Sequence, residues 1–284
     1  MTWVVRTLIF GSVLLGCSDA VGPDPIGIVD SISLTIESVV AELGAAASST
    51  ESGMVFPSAA CSYVTARTCR ALPPGASVRW GGCSLGQLTL EGGWNETLSS
   101  APCCSSFGNS CVIDRETAST AVVLPSGARI SISSDAHNTW DGSSIGGGVH
   151  AEVASSVRTI TFRGLQRTFY SATLVQIFNH SLETTTSPIQ VSGSLATNDR
   201  RVEAGTMVLH HNRVKYNLAA EFDATDKVTW QSASCCYPTT GKINGTLSGA
   251  LSGSVTLQFT STCGQATFTN QYGASSTITL NQCM

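Results

Sequence analysis

Apolar and polar residues alternate strictly in parts of the C-terminal half of the chain, and this pattern limits the folds that the chain can adopt. Its clearest stretch spans 213–222, where every second residue is apolar or small: Val214, Tyr216, Leu218, Ala220 and Phe222. Successive side chains of a β-strand point to opposite faces of the sheet, so this spacing predicts a strand with one buried and one solvated face. A helix would instead need apolar residues at steps of three and four.

The same period of two recurs from residue 157 onwards, with short links and no helical pattern between the segments. Short links join antiparallel neighbours, whereas parallel strands need long crossovers. A sheet of about ten strands or more has to curl, split into a sandwich or close on itself. We therefore predict an all-β domain at 54–284, an antiparallel meander that forms a large curled sheet or a sandwich. Its cysteine-rich part covers 54–111 and its regular strands cover 118–284.

Two segments of this domain carry more specific signals. Pro125-Ser126-Gly127 separates alternating residues at 120–124 and 128–133, which predicts a hairpin. The segment 168–178 is apolar or small at both sets of alternating positions. We expect it to form one central strand that is covered on both sides.

The region before the domain is predicted to contain one helix. Across 29–44, apolar residues recur at steps of three and four, including Ile32, Ile36, Val39, Val40 and Leu43. A strand at 32–36 is the alternative, but it does not account for the later apolar residues. The stretch 17–28 is rich in glycine and proline and is interpreted as a tether.

Residues 1–16 have the layout of an export signal peptide. Arg6 supplies a positive charge, a mostly apolar stretch follows, and Gly16 precedes Cys17. The apolar stretch is shorter than the roughly 20 residues that span a bilayer as a helix. Leu14-Leu15-Gly16-Cys17 resembles the lipobox of bacterial lipoproteins. An ordinary secretory signal that ends near a cysteine is the alternative.

That resemblance implies a lipid-anchored protein of the bacterial cell envelope. Cys17 would carry a diacylglyceryl thioether, and cleavage before it would free an amino group for a further acyl chain such as palmitate. Several chains give lasting membrane attachment, where one chain gives only transient binding. Ser18 follows the cysteine where an aspartate would favour the inner membrane, so the outer membrane is expected. The segment 235–283, from Cys235-Cys236-Tyr237-Pro238 through Cys263-Gly264 to Cys283, resembles in its residue pattern the ends of uncharacterised β-rich envelope lipoproteins. That resemblance implies no particular activity.

Ten further cysteines form two even-numbered clusters. In an exported chain they are candidates for up to five disulfide bonds, paired most simply within each cluster, while the connectivity inside a cluster stays open. Zinc is the alternative partner, but the spacing lacks paired C-x-x-C units. The candidates are Cys61, Cys69, Cys83, Cys103, Cys104 and Cys111 in the first cluster, and Cys235, Cys236, Cys263 and Cys283 in the second.

The charge composition argues against nucleic acid as a partner. The chain has 15 lysines and arginines, a net charge of −4 and no run of basic residues, whereas phosphate binding relies on clustered cations. Six scattered arginines are expected on polar strand faces and at loop ends: Arg158, Arg163, Arg167, Arg200, Arg201 and Arg213.

Two motifs resemble catalytic or metal-binding patterns. Gly142-Ser143-Ser144-Ile145-Gly146 matches G-x-S-x-G, but a nucleophile elbow at Ser144 needs a buried strand before it and a helix after it, and neither is predicted. His210-His211 is expected to lie with Asn212 in a turn between strands at 201–209 and 213–222. Neighbouring residues of a strand face opposite ways, so the two imidazoles are not expected to share a metal.

A third group, Asp135, His137 and Asp141, could hold calcium or a transition metal, although its spacing departs from an EF-hand loop. Neither this group nor the two motifs is specific enough to assign. We therefore assign no catalytic, cofactor-binding or metal-ligating residue.

The leading functional hypothesis is a non-enzymatic, lipid-anchored envelope protein that serves as a structural or binding module, with an unidentified protein or ligand as its partner. The alternative is a carrier that holds an apolar ligand in the curved sheet. A cavity lined by Phe169, Tyr216, Phe222 and Trp230 would favour the carrier, and a core filled by them would argue against it. A hydrolase is the third hypothesis, and it would need a well-oriented serine or carboxylate pair in a cleft.

Overall fold

The described part of the chain is almost entirely β-structure. A computed structural model describes residues 32, 35, 36 and 39, the segments 63–67, 75–85, 88–98 and 111–117, and 120–280 apart from 155–156, 194–197, 232–234 and 236. The four isolated positions are helical. The rest of the predicted helix at 29–44, the tether and the signal peptide lie outside the described residues.

Twenty strands, numbered here in chain order, occur among the described residues. They are β1 (Tyr63–Arg67), β2 (Gly75–Leu85), β3 (Leu88–Leu98), β4 (Cys111–Thr117), β5 (Thr120–Val123), β6 (Arg129–Ser133), β7 (His137–Asn138), β8 (Ser144–Ile145), β9 (Val149–Ala154), β10 (Val157–Tyr170), β11 (Gln176–Glu183), β12 (Ile189–Ser192), β13 (Arg200–Ala204), β14 (Thr206–His211), β15 (Tyr216–Phe222), β16 (Thr229–Trp230), β17 (Lys242–Gly249), β18 (Gly253–Phe259), β19 (Gln265–Thr269) and β20 (Ser275–Thr279).

Eighteen of these strands form one continuous antiparallel sheet that is not closed, which confirms the predicted fold class. β10 lies at its centre, paired along its two halves with β9 and β6 on one side and with β12 and β11 on the other. From β11 the sheet continues through β14, β15, β17, β18 and β19 to β20. In the other direction it continues through β5 and β4 to β3, β2 and β1.

The core contains one face of this sheet and the described helical residues. In β15 the predicted alternation is confirmed, because Tyr216, Leu218 and Ala220 are buried while the residues between them are not. Ile32 and Ile36 are fully buried in the same apolar cluster as these strand residues. The N-terminal helical segment therefore packs on the sheet rather than standing apart from it.

The segment 168–178 is not one central strand, and that prediction is wrong. β10 ends at Tyr170 and β11 begins at Gln176, and the backbone N–H of Ser171 donates to the carbonyl of Val175 at 2.8 Å to close the turn between them. Leu174 is 71% exposed and Val175 is 51% exposed. The small residues Ser171-Ala172-Thr173 allow a tight turn that the apolar periodicity conceals. By contrast, the hairpin predicted around Pro125-Ser126-Gly127 is confirmed as β5 and β6.

Three of the six arginines expected on polar faces are instead buried. Arg158, Arg167 and Arg200 are at most 2% exposed. The Arg200 guanidinium lies 4.4 Å from the ring centre of Trp230, and Arg158 donates to the carbonyl of Gly193. An aromatic face or a carbonyl oxygen in the interior compensates the guanidinium for part of its lost hydration.

A disulfide bond joins Cys235 and Cys263, whose Cα atoms are 5.8 Å apart. Both belong to the second predicted cluster, so this bond agrees with pairing inside that cluster. It connects the segment before β17 to the turn between β18 and β19. The other eight candidate cysteines lie where the structure describes no side chain.

Candidate functional site

Three histidines lie on the two faces of neighbouring strands: His180 in β11, and the doublet His210-His211, which the sequence singled out, in β14 between β11 and β15. Directly opposed residues of antiparallel strands share a face. His180, His211 and Tyr216 therefore form a row toward the core, while Ser181, His210 and Asn217 form a row on the outer face.

The prediction that the two imidazoles of the His210-His211 doublet face opposite ways is confirmed. Its predicted place in a turn is wrong, because both residues belong to β14 and the turn spans 212–215. Lys215 has a φ of 64° there, and its backbone N–H donates to the carbonyl of His211 at 2.8 Å.

The inner row is a buried series of aromatic rings in contact with one another. The His180 ring lies 4.2 Å from Phe178 and 4.8 Å from His211, and the His211 ring lies 4.9 Å from Tyr216. The Thr35 hydroxyl is 2.7 Å from the Tyr216 hydroxyl and 3.4 Å from His180 Nε2. These contacts join the N-terminal helical segment to β11 and β15.

Burial also determines the charge of His180. It lowers the pKa of His180 well below the usual value of 6.5, and the neighbouring charges of His211 and Arg167 act in the same direction. His180 is therefore neutral at neutral pH. A neutral imidazole with no solvent exposure is suited to packing rather than to proton exchange with a substrate.

The outer row is covered by the segment 134–148, which contains the small hairpin of β7 and β8. The Trp140 indole N–H donates to Asn217 Oδ1 at 2.8 Å, and its backbone N–H donates to Asn212 Oδ1 at 3.1 Å. The segment returns so close to β10 that a Cβ at Gly164 would lie 2.4 Å from the backbone nitrogen of Gly146. Glycine at both positions therefore permits this close approach.

His210 and Asp141 meet at the centre of the outer face. The His210 ring places Nδ1 2.8 Å from Asn217 Oδ1 and Nε2 3.0 Å from Glu183 Oε1. The Asp141 carboxylate lies 3.6 Å from His210 Nδ1. The Thr139 hydroxyl, together with weaker donors that include Asn217, outweighs burial and holds the pKa of Asp141 well below its usual range.

Ser181 and His137 form a pair that sequence reasoning missed. His137 Nδ1 lies 2.8 Å from the carbonyl oxygen of Asp135, so it carries the ring proton, and Nε2 accepts from the Ser181 hydroxyl at 2.8 Å. The Asn212 amide also donates to Ser181 at 2.9 Å. This is the order of a nucleophile and its base. Ser181 is fully buried beneath 134–148, so its oxygen is not presented to a substrate in a cleft, and the pair instead fastens this segment.

The motif serine and the proposed metal group have no common site. Ser144 begins β8, is exposed and pairs with Asn138 in the small hairpin, so the strand-turn-helix context of a nucleophile elbow does not form. His137 contacts the backbone carbonyl of Asp135, but the carboxylates of Asp135 and Asp141 accept from different hydroxyls, those of Ser133 and Thr139. Within the described ranges, no three histidine, cysteine or acidic residues are grouped so that they could hold a metal ion.

The aromatic residues proposed to line a ligand cavity are part of the core. Tyr216, Phe222 and Trp230 are at most 3% exposed and belong to the same apolar cluster, against which Phe169 is packed. Their burial favours a filled core over a pocket for an apolar ligand.

Comparisons with known proteins assign the chain to no family. The chain matches no protein-family model, no curated protein and no solved structure. No helix in the described part of the chain is long and apolar enough to cross a bilayer. The function is therefore inferred from the N-terminal sequence and the arrangement of the described residues.

Proposed function

We propose that this chain is a non-enzymatic, lipid-anchored protein of the bacterial outer membrane whose β domain serves as a structural or binding module. The observation that carries the proposal is the N-terminal order of a positive charge, an apolar stretch, Gly16 and Cys17. From Cys17 to the buried Ile32 is 15 residues (32 − 17). A chain of that length reaches at most about 50 Å, so a lipid on Cys17 would hold the β domain close to the bilayer.

Two features of the β domain support this proposal. The bond between Cys235 and Cys263 fits a compartment in which disulfides persist, as expected of an exported chain. Ser181 and His137, which resemble a catalytic pair, are hydrogen-bonded to each other. Ser181 also accepts from Asn212 and is buried. A network whose hydrogen bonds are satisfied internally stabilises one conformation of the loop above it.

Metabolic labelling with palmitate in a bacterial host tests the anchor. The wild-type protein should incorporate the label and partition with membranes, whereas Cys17→Ala should lose the label. Cys263→Ala is the matched control, because it removes a cysteine of the β domain and should keep the label. Incorporation into Cys17→Ala at the wild-type level would refute this attachment site.

A further inference from the structure

Five turns lie side by side at one end of the sheet and are here called the hairpin rim. They span 124–128, 171–175, 212–215, 250–252 and 270–274, and each joins two antiparallel neighbours. Their order follows from the strand pairing, and neighbouring turns touch. The Arg213 guanidinium donates to the carbonyl of Gln176 beside the second turn, and the backbone N–H of Ala250 donates to the carbonyl of Lys215 at 2.9 Å.

The hairpin rim carries the exposed large apolar side chains of the described residues. Tyr272 is 84% exposed, Leu174 is 71% exposed and Val175 is 51% exposed. The partly buried Val214 and Leu251 lie in the turns between them. Single exposed apolar residues are ordinary on a protein surface, whereas these three all lie in turns at the same end of the sheet.

Leu174 is unsuited to its turn. Its φ of 60° lies in the left-handed region, which a side chain with a Cβ disfavours and which asparagine or glycine adopts more readily. The side chain also gains little from burial. Leu174 is strained in its turn and is not buried in the core, which indicates a contact with something outside the molecule.

The charge of the hairpin rim is positive. Its five turns contain Arg213 and Lys215 and no aspartate or glutamate. Two carboxylates near the rim are already engaged, since Glu91 forms an ion pair with the arginine that follows the first turn and Asp141 accepts from Asn217. At the opposite end of the sheet, the turn at 223–228 contains two aspartates and one lysine.

The N-terminal segment meets the sheet beside this rim. The Thr35 hydroxyl lies 2.7 Å from the hydroxyl of Tyr216, and Tyr216 directly follows Lys215 of the rim. Thr35 is 18 residues after Cys17 (35 − 17). An anchor on Cys17 would therefore keep the rim end of the sheet within reach of the bilayer and raise its local concentration there.

We propose that the hairpin rim docks on the headgroup layer of an anionic bilayer, with Leu174, Val175 and Tyr272 entering the interface and Arg213 and Lys215 facing the headgroup phosphates. The inference rests on the proposed function, because the anchor supplies the nearby bilayer. Tyrosine and aliphatic side chains are favoured at the membrane interface. Cations close to an anionic leaflet are attracted to it.

Hydroxyl-radical footprinting of the full-length protein on lipid vesicles tests this docking. The vesicles contain phosphatidylcholine, either alone or mixed with phosphatidylglycerol, and the oxidation of Tyr272 is read by mass spectrometry. On anionic vesicles Tyr272 should be protected in the wild-type protein. One cation near an anionic surface corresponds to about a fivefold change in the docked population, so Lys215→Gln should raise Tyr272 oxidation by up to about fivefold on these vesicles only.

A double variant tests the apolar contribution. Leu174→Asn with Val175→Thr should raise Tyr272 oxidation on both kinds of vesicle, whereas Thr185→Asn, an exposed change at the opposite end of the sheet, should leave it as in the wild type. Equal oxidation of Tyr272 in all variants on anionic vesicles would overturn the docking. If palmitate labels Cys17 and Tyr272 is unprotected, docking fails and the anchor stands. If the protein takes up no palmitate and added vesicles still protect Tyr272, the rim binds lipid without the anchor.

Discussion

Replacing Leu174 should stabilise the isolated protein. Its left-handed backbone costs a residue with a Cβ about 1 kcal/mol, and asparagine tolerates this conformation. Because the side chain is 71% exposed, little burial is lost. Leu174→Asn should therefore raise the free energy of unfolding by about 1 kcal/mol, measured by urea denaturation. The control Val175→Thr should change it by less than about 0.5 kcal/mol, and a clear loss in Leu174→Asn would contradict the strained turn.

His180 should make stability depend on pH just below neutrality. Burial, His211 and Arg167 lower its pKa in the folded state, so the unfolded chain binds the additional proton as the pH falls. The free energy of unfolding should therefore fall as the pH drops through 6.5, the usual value. Well below 6.5, and until the pH nears the lowered pKa of the folded state, the loss should approach about 1.4 kcal/mol for each further pH unit.

Urea denaturation above and below this pH range measures the effect of His180. The variant His180→Gln should be less stable at neutral pH and should lack this part of the pH dependence, so the difference in free energy of unfolding should narrow as the pH falls. An identical pH dependence in the wild type and the variant would show that His180 is not the group responsible.

Glu203 acts in a separate pH range. Burial raises the pKa of Glu203, but hydrogen bonds from Lys227, Ser192 and Arg201 outweigh it and lower the pKa to about 2. Its folded pKa lies below the usual 4.5, so its stabilisation is present above 4.5 and is lost as the pH falls toward 2. Glu203 therefore stays ionised between pH 5 and 7, and the difference between the wild type and His180→Gln over this range reports on His180.

Single residues show where sequence reasoning reaches its limit. The alternation in β15 correctly predicts that Tyr216 and Leu218 are buried, because the period of a strand fixes the face of each side chain. It cannot predict that Arg200 is buried. That burial depends on Trp230, which lies 30 positions later (230 − 200) and meets Arg200 only through the pairing of β13 with β16.

Asn217 should fasten the segment 134–148 to the outer face of the sheet. Asn217 accepts from the Trp140 indole, accepts from His210 and donates to Asp141 at 3.1 Å. Removing this side chain leaves partly buried partners without their hydrogen bonds, which costs about 1–3 kcal/mol. Asn217→Ala should lower the free energy of unfolding by about 2 kcal/mol. It should also speed amide hydrogen exchange in 137–145, as measured by mass spectrometry.

The control for this loop is Asn244→Ala, which removes the same side chain from β17. It should leave exchange in 137–145 unchanged and cost less stability. Exchange in the loop that is equally slow in both variants would mean that Asn217 does not fasten it.

Strands and turns could be predicted from the sequence where turn-forming residues separate two alternating segments. Pro125-Ser126-Gly127 gave the hairpin of β5 and β6 because proline and glycine fix the backbone locally. The turn at 171–175 was missed because it contains neither residue. The candidate site was missed because it joins 134–148 to β11, β14 and β15, and a contact between such distant segments leaves no local pattern.

At the scale of the whole molecule, strand alternation and short links predicted an all-β antiparallel fold. They left open whether the strands form one sheet or two. That choice is made by non-local pairings such as β6 with β10 and β11 with β14, which place the five hairpins in one continuous sheet. Only this strand order shows that the exposed apolar side chains Leu174, Val175 and Tyr272 lie at the same end of the sheet.

The disulfide bond should contribute substantially to global stability. Cys235 and Cys263 are 28 positions apart, and closing a loop of this length restricts the unfolded chain by about 3–4 kcal/mol. The double variant Cys235→Ala with Cys263→Ala should lose about that much free energy of unfolding in urea. A loss below about 1 kcal/mol would indicate that strain or residual structure cancels the restriction.

The N-terminal helical segment should contribute to global stability through the side chains that it buries against the sheet. Ile36 is fully buried in the same core as β15, so Ile36→Ala should remove about 2–5 kcal/mol from the free energy of unfolding. The control Ile278→Ala changes a partly buried residue of β20 and should cost less. Tryptophan fluorescence and circular dichroism should report one coincident unfolding transition for the wild type and for Ile36→Ala, because helix and sheet share a core. An unchanged stability in Ile36→Ala would mean that this segment is not fixed to the sheet. Its junction beside Tyr216 could then no longer hold the hairpin rim near an anchored bilayer.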